Sequence, residues 1–184
     1  MTNRLKTFFF CAAGALLSFG LLAADSAGKP EPAKPGAGKS YQVRSKKHGE
    51  LLRPEEANSA DGTPIVLYPA QHWKCMTWKF DAAGDSTFSL QNHYTSKTFA
   101  PKPAGRAEDA AVTQVPFAKK AGERPAWQFS KLSDGTYKIT EVKSGKALTG
   151  VKAGQGVKII VRTWGDSEDQ RWELLEIDPK TLTM

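Results

Sequence analysis

The sequence predicts an all-β domain made of three four-stranded repeats around a pseudo-threefold axis. Three observations carry that prediction. A Trp-x-apolar element recurs at Trp78-Lys79-Phe80, Trp127-Gln128-Phe129 and Trp172-Glu173-Leu174. An aromatic-x-aliphatic pair with an apolar residue nine positions further on recurs as Tyr41/Val43/Leu52, Phe88/Leu90/Phe99 and Tyr137/Ile139/Leu148. Each set closes on one of the tryptophans, which follow Leu52, Phe99 and Leu148 by 26, 28 and 24 residues. Finally, no stretch beyond residue 40 keeps a convincing helical period, because Pro or Gly interrupts most candidates.

The third copy shows why each element forms. Tyr137 and Ile139 alternate with Lys138 and Thr140, the period of a half-buried strand. A second strand is expected around Leu148, and a third over the β-branched run Val157–Val161. The fourth carries Trp172 and Leu174. The turn signals KSGK, KAGQG and WGDSED separate them. The first copy matches further: Gly62 and Gly156 each stand 16 residues before their tryptophan. Each is followed by an apolar stretch, Ile65-Val66-Leu67 and Ile159-Ile160-Val161. The second copy has VTQVPF (112–117) there, after the Pro/Ala-rich insertion APKPAGRAEDAA. One repeat cannot bury its apolar face alone, whereas three around an axis share a core, and closing the sheet removes its edges. A large buried side chain contributes roughly 1.5–3 kcal/mol, so each tryptophan is expected to anchor one lobe.

The flanks have a different composition. Arg4 and Lys6 precede a nearly continuous apolar run, Phe8 to Leu22, that closes on Leu22-Ala23-Ala24. This predicts a secretory signal over 1–24 with cleavage near Ala24, and a secreted or periplasmic protein. The run is shorter than the ~20 residues of a spanning helix, and no second apolar run follows, so no membrane span is expected in the mature chain. Residues 25–40 (DSAGKPEPAKPGAGKS) have nothing large to bury and read as a flexible linker. The domain is expected over 41–178, with repeats at about 41–82, 86–131 and 135–177, and 179–184 as a tail. Removing the signal takes two of 26 basic and none of 19 acidic residues, leaving 24 − 19 = +5. That mild excess suits either a solvated face or attraction to an anionic surface. Only Cys75 remains after export, so no internal disulfide is expected.

Two short motifs carry a resemblance. DQRW (169–172) resembles the Gln-x-Trp signature of the ricin-type β-trefoil lectin family, and KSGKAL (143–148) resembles the Ser-Gly-Lys-x-Leu turn of its repeats. The resemblance covers roughly residues 41–177 and rests mainly on the threefold spacing. It implies a β-trefoil and an exported, carbohydrate-binding module. In that family an Asp just after the second strand and an Asn or Gln near the fourth hold sugar hydroxyls. An aromatic on the third strand or its loop stacks on the ring, because planar polar groups read hydroxyls and an aromatic covers the C–H face.

The chain departs from that pattern. The Asp position holds Arg53, Ala100 and Thr149, and the Gln of the signature survives only as Gln170, with Met76 and Pro125 in the other lobes. The third lobe ranks first as a candidate carbohydrate site, with Thr149, Trp164, Asp166, Asp169 and Gln170. The first lobe ranks second, with Tyr68, His72 and Trp73. Each has a plain structural alternative. Gln170 can bond backbone in its own loop. Trp164 and Trp73 can cover loops, and DSED can be a solvated turn. Arg53 and Arg162 are expected to pair with local carboxylates. Lys97, Lys102, Arg106, Lys119, Lys120 and Arg124 bias the second lobe towards basic charge, as a solvated loop or as a site for anionic polymer.

His48, His72 and His93 have no metal-ligand spacing, no nucleophile or phosphate-loop motif is found, and Cys75 has no obvious activating partner. No catalytic residue, metal or cofactor is expected, and the protein is not expected to be an enzyme. The expected function is an exported non-catalytic carbohydrate-binding module with divergent sugar sites. The alternative is a protein-binding or inhibitory β-trefoil that has lost sugar binding. The expected partner is a glycan or polysaccharide, with an anionic polymer or a protein as alternatives, no specific nucleic acid, and a monomeric chain.

Overall fold

The structure, a computed structural model, describes residues 35–102 and 109–184. The expected signal, most of the linker, and Arg106 lie outside the described residues. The first lobe holds β1 (Ser40–Ser45), β2 (Leu51–Pro54), β3 (Ile65–Tyr68) and β4 (Thr77–Gly84). The second holds β5 (Thr87–Asn92), β6 (Thr98–Pro101), β7 (Ala110–Val115) and β8 (Trp127–Lys131). The third holds β9 (Tyr137–Glu141), β10 (Ala147–Ala153), β11 (Gly156–Arg162) and β12 (Arg171–Glu176). Among the described residues the helical elements are short 3-10 turns.

The first and last strands of each lobe close a six-stranded antiparallel barrel. β1 pairs with β4, β4 with β5, β5 with β8, β8 with β9, β9 with β12, and β12 returns to β1. The middle strands form three hairpins, β2–β3, β6–β7 and β10–β11. These join through β11, which pairs with both β3 and β7. The architecture is a β-trefoil. Closure gives each of the six barrel strands a partner on both sides, which removes the exposed edges of an open sheet.

The recurring residues share one core. All nine positions of the aromatic-x-aliphatic-apolar pattern are buried in a single cluster, and Trp78, Trp127 and Trp172 are 0% exposed. Phe80 sits between lobes, with ring centroids 4.7 Å from Tyr41, 5.4 Å from Phe88 and 5.1 Å from Phe129. Such tilted contacts suit aromatic quadrupoles. Two of the indoles also bridge strands. Trp78 Nε1 donates to the Leu52 carbonyl at 3.1 Å, and Trp172 Nε1 donates to the Leu148 carbonyl at 3.0 Å. Each indole therefore ties the fourth strand of its lobe to the second. In the second lobe Trp127 Nε1 is buried without a partner.

The turn after each lobe's first strand repeats as well. Ser45, Asn92 and Glu141 occupy equivalent positions, and each side chain accepts from a backbone N–H two or three residues on. Four residues after each comes a left-handed residue: Gly49 (φ 69°), Ser96 (φ 56°) and Gly145 (φ 67°). Glycine adopts that conformation freely, and serine pays for it in strain. The C-terminal segment, expected as a tail, lies against the first lobe. Lys74 N donates to the Thr183 carbonyl at 3.0 Å and Thr183 N to the His72 carbonyl at 2.9 Å.

Trp172→Phe removes a buried hydrogen bond and leaves the Leu148 carbonyl without its indole donor, a loss of about 1–3 kcal/mol beyond the packing change. Trp127→Phe has no such bond to lose. In urea unfolding, the midpoint of Trp172→Phe should fall well below that of Trp127→Phe at unchanged slope.

Candidate functional site

In the third lobe, Gln170 lies at the end of the 3-10 turn Glu168–Gln170, just ahead of β12, and Thr149 lies in β10. Both are 1% exposed. Gln170 Nε2 donates to Thr149 Oγ1 at 3.1 Å and to the Thr163 carbonyl at 3.0 Å. Its Oε1 accepts from Gly165 N at 2.7 Å and Ser167 Oγ at 3.3 Å. The Thr149 hydroxyl donates to the Ala147 carbonyl at 3.0 Å. An amide has two donors and one acceptor oxygen, and here all are in use. These residues hold the 163–170 loop against β10.

The remaining third-lobe candidates face outward but are paired. Asp166, at φ 55°, accepts from Arg171 Nη2 at 2.6 Å. Asp169 accepts from Ser167 Oγ and stands 3.7 Å from Lys47 Nζ. Trp164 is half-buried, with the Lys138 ammonium 5.5 Å from its ring centroid. Beside them Asp134 receives Lys46 Nζ at 2.7 Å, Arg171 Nη1 at 2.6 Å and Thr136 N at 3.0 Å. Burial alone would raise its pKa. The hydrogen bonds from Lys46, Thr136 and Arg171 outweigh that and hold its carboxyl well below the usual carboxylate range.

The first lobe is built differently. Met76 replaces the signature glutamine and packs with Leu51 and Cys75 in a separate apolar cluster, flanked by Ala57, Trp73 and Leu175. Arg53, opposite Val66 in the β2–β3 hairpin, is 9% exposed, with its guanidinium carbon 3.8 Å from the Tyr68 ring centroid. The sequence predicts that Arg53 pairs with a carboxylate. The structure corrects this: among the described residues it has no ion pair, and its Nε is buried without a partner. The reason is its position in a fully buried strand, facing Tyr68 and Cys75, while Glu55 and Glu56 are exposed in the next turn. Arg162 does pair, its Nε 2.9 Å from Asp109 Oδ1.

Cavities gather around this lobe. One of about 210 Å³ is lined by Arg53, Ala57, Trp73, Cys75, Tyr94 and Met184. A second, about 290 Å³, adjoins Arg53, Glu55, Glu56, Tyr68 and Lys158. A third, about 520 Å³, lies along His48, Tyr68, Pro69 and Lys152. Tyr68 and Trp73 stand 6.1 Å apart and line these spaces, whereas His72 is exposed and anchors the C-terminal segment through its carbonyl. Tyr94 comes from the β5–β6 turn of the second lobe and Met184 from the C-terminal segment, and the repeat pattern gives no signal for either. The basic residues of the second lobe are partly neutralised. Lys97 pairs with Asp61, Lys120 with Glu123, and Arg124 with Asp81 while stacking on Phe117. Among the described residues, no group of three or more His, Cys, Asp or Glu is placed to hold a metal ion.

Residues 124–184 match the model described as the ricin-type beta-trefoil lectin domain-like family. That stretch is similar to ricin-type β-trefoil lectin-like domains. It spans β8 to the C-terminus and holds the one lobe with an intact Gln-x-Trp. Solved structures share the β-trefoil fold. The designed threefold-symmetric protein ThreeFoil is 24% identical, with a TM-score of 0.68, over 75% of this chain and 99% of that one. An exo-beta-1,3-galactanase from Clostridium thermocellum is 19% identical, with a TM-score of 0.67, over 76% of this chain and 30% of that one. The Macrolepiota procera ricin B-like lectin, solved with lactose, is 15% identical, with a TM-score of 0.63, over 77% of this chain and 98% of that one. No curated protein matches the chain.

The lowered Asp134 carboxyl stabilises the fold wherever it is ionised. Its contribution is complete above the unfolded carboxylate pKa of ~3.9 and is lost as pH falls towards the lower folded value. The urea-midpoint gap between wild type and Asp134→Asn should therefore be constant near neutral pH and shrink as pH drops below about 4.

Proposed function

We propose that the protein is an exported, non-catalytic carbohydrate-binding module whose sugar site lies in the first lobe. The observation that carries this reading is the aromatic-walled cavity beside Arg53, set on a β-trefoil with a lectin-like segment. Sugar sites combine an aromatic surface for the C–H face of a ring with a few fixed polar groups. Trp73 and Tyr94 supply the surface, and Arg53 supplies the donors. At about 210 Å³ the cavity suits a single ring, where modest affinity is expected. Export rests on the apolar run and small residues of 1–24.

One observation favours the second reading, a trefoil that binds protein. Thr149 and Gln170 are fully occupied within the third lobe, which removes the polar pair a sugar would use there.

A glycan array followed by fluorescence titration separates the two. Trp73→Ala should weaken glycan binding at least tenfold, and Trp164→Ala should change it less than twofold, with no release of reducing ends on incubation. Absence of binding by a folded sample would favour the protein-binding reading. N-terminal sequencing of protein recovered from the exporting cell should begin within a few residues after Ala24. An intact Met1 would rule out the cleaved signal.

A further inference from the structure

We propose that the first-lobe cavity takes the carboxylate of an acidic sugar, a uronate-class residue, on the side chain of Arg53. The proposal deepens the carbohydrate reading and rests on it. Arg53 is the one charged side chain among the residues lining the 210 Å³ cavity. It is nine-tenths buried, forms no ion pair among the described residues, and keeps a buried Nε–H without an acceptor. A guanidinium presents its Nε–H and a terminal N–H as a planar fork that matches the two oxygens of a carboxylate. The unsatisfied Nε is one prong of that fork.

None of the side chains lining the cavity is a carboxylate. Burial pushes the Cys75 thiol up against the opposing pull of Arg53. Glu55 and Glu56 line the adjoining cavity, not this one, and are exposed. Tyr68 covers the guanidinium face at 3.8 Å, which fixes its plane. The cavity walls include Trp73, Tyr94, Ala57 and Met184. A sugar ring would lie against an aromatic wall while its carboxylate reached the fork. Neutral sugars would leave the guanidinium unpaired in a desolvated place, and so would bind more weakly.

The test is titration of the protein with sodium glucuronate and sodium galacturonate, against glucose, galactose and galactose 6-sulfate. The readout is the Trp73 indole N–H resonance, assigned from the spectrum of Trp73→Phe. The expected result is saturable displacement by a uronate at a concentration at least tenfold lower than its neutral counterpart. Arg53→Met, which keeps the stem packed on Tyr68, should abolish that preference. Arg53→Lys, which keeps charge but not the fork, should reduce it. Circular dichroism checks that both variants fold, and the wild-type comparison stands without them. If neutral sugars bind as well as uronates, the carbohydrate reading survives and the carboxylate proposal falls. Tighter binding of the sulfate ester, or a preference retained by folded Arg53→Met, also overturns it. If no sugar in a wider neutral and acidic glycan panel moves the resonance of a folded sample, both readings fall.

Discussion

The indole of each lobe's last strand ties this fold together where it has a partner. Trp78 and Trp172 reach back to the carbonyls of Leu52 and Leu148 and fill the barrel from within. A buried indole adds a large apolar area, and its N–H needs an acceptor. In these two lobes the bond ties the second strand to the fourth and so holds the hairpin to the barrel. The second lobe, with its insertion and its longer spacing, leaves Trp127 Nε1 without a partner. Its tryptophan works through packing, with Phe99 at 5.0 Å.

On this common frame the lobes have taken different polar chemistry. The third lobe invests its glutamine and threonine in a closed hydrogen-bond network, and its surface charges in pairs around Asp134 and Arg171. The first lobe exchanges the glutamine for Met76, so the same turn becomes an apolar cluster. An arginine at the neighbouring position then lies among apolar and aromatic groups. A buried charge without a partner costs roughly several kcal/mol, and a ring face returns only about 0.5–2 kcal/mol of that. Such an imbalance is unusual for a purely structural residue, and it sets Arg53 apart from the ion-paired Arg162.

Much of the architecture was legible in the letters. The threefold recurrence of Tyr41, Phe88 and Tyr137 with their partners placed every first strand, and Val157 to Val161 lies within β11. Periodicity reports burial, and burial in a closed sheet is dictated by the same alternation in every lobe. The candidate site was only partly legible. Trp73 and Tyr68 were visible as first-lobe candidates. Thr149 and Gln170 were visible as a polar pair, but whether their atoms face a ligand or their own loop depends on where Thr163 and Gly165 return in space.

The sequence by itself determined the all-β class, the three lobes and their tryptophan anchors, because these follow from patterns that repeat along the chain. The tertiary structure alone decided which polar groups are satisfied. Arg53 lost its expected carboxylate because the buried β2 strand turns it towards Tyr68 and Cys75. Tyr94 and Met184 joined its cavity from the next lobe and from the C-terminal segment. Hydrogen-bond satisfaction is a property of neighbours in space, and no spacing along one chain encodes which distant segments those neighbours will be.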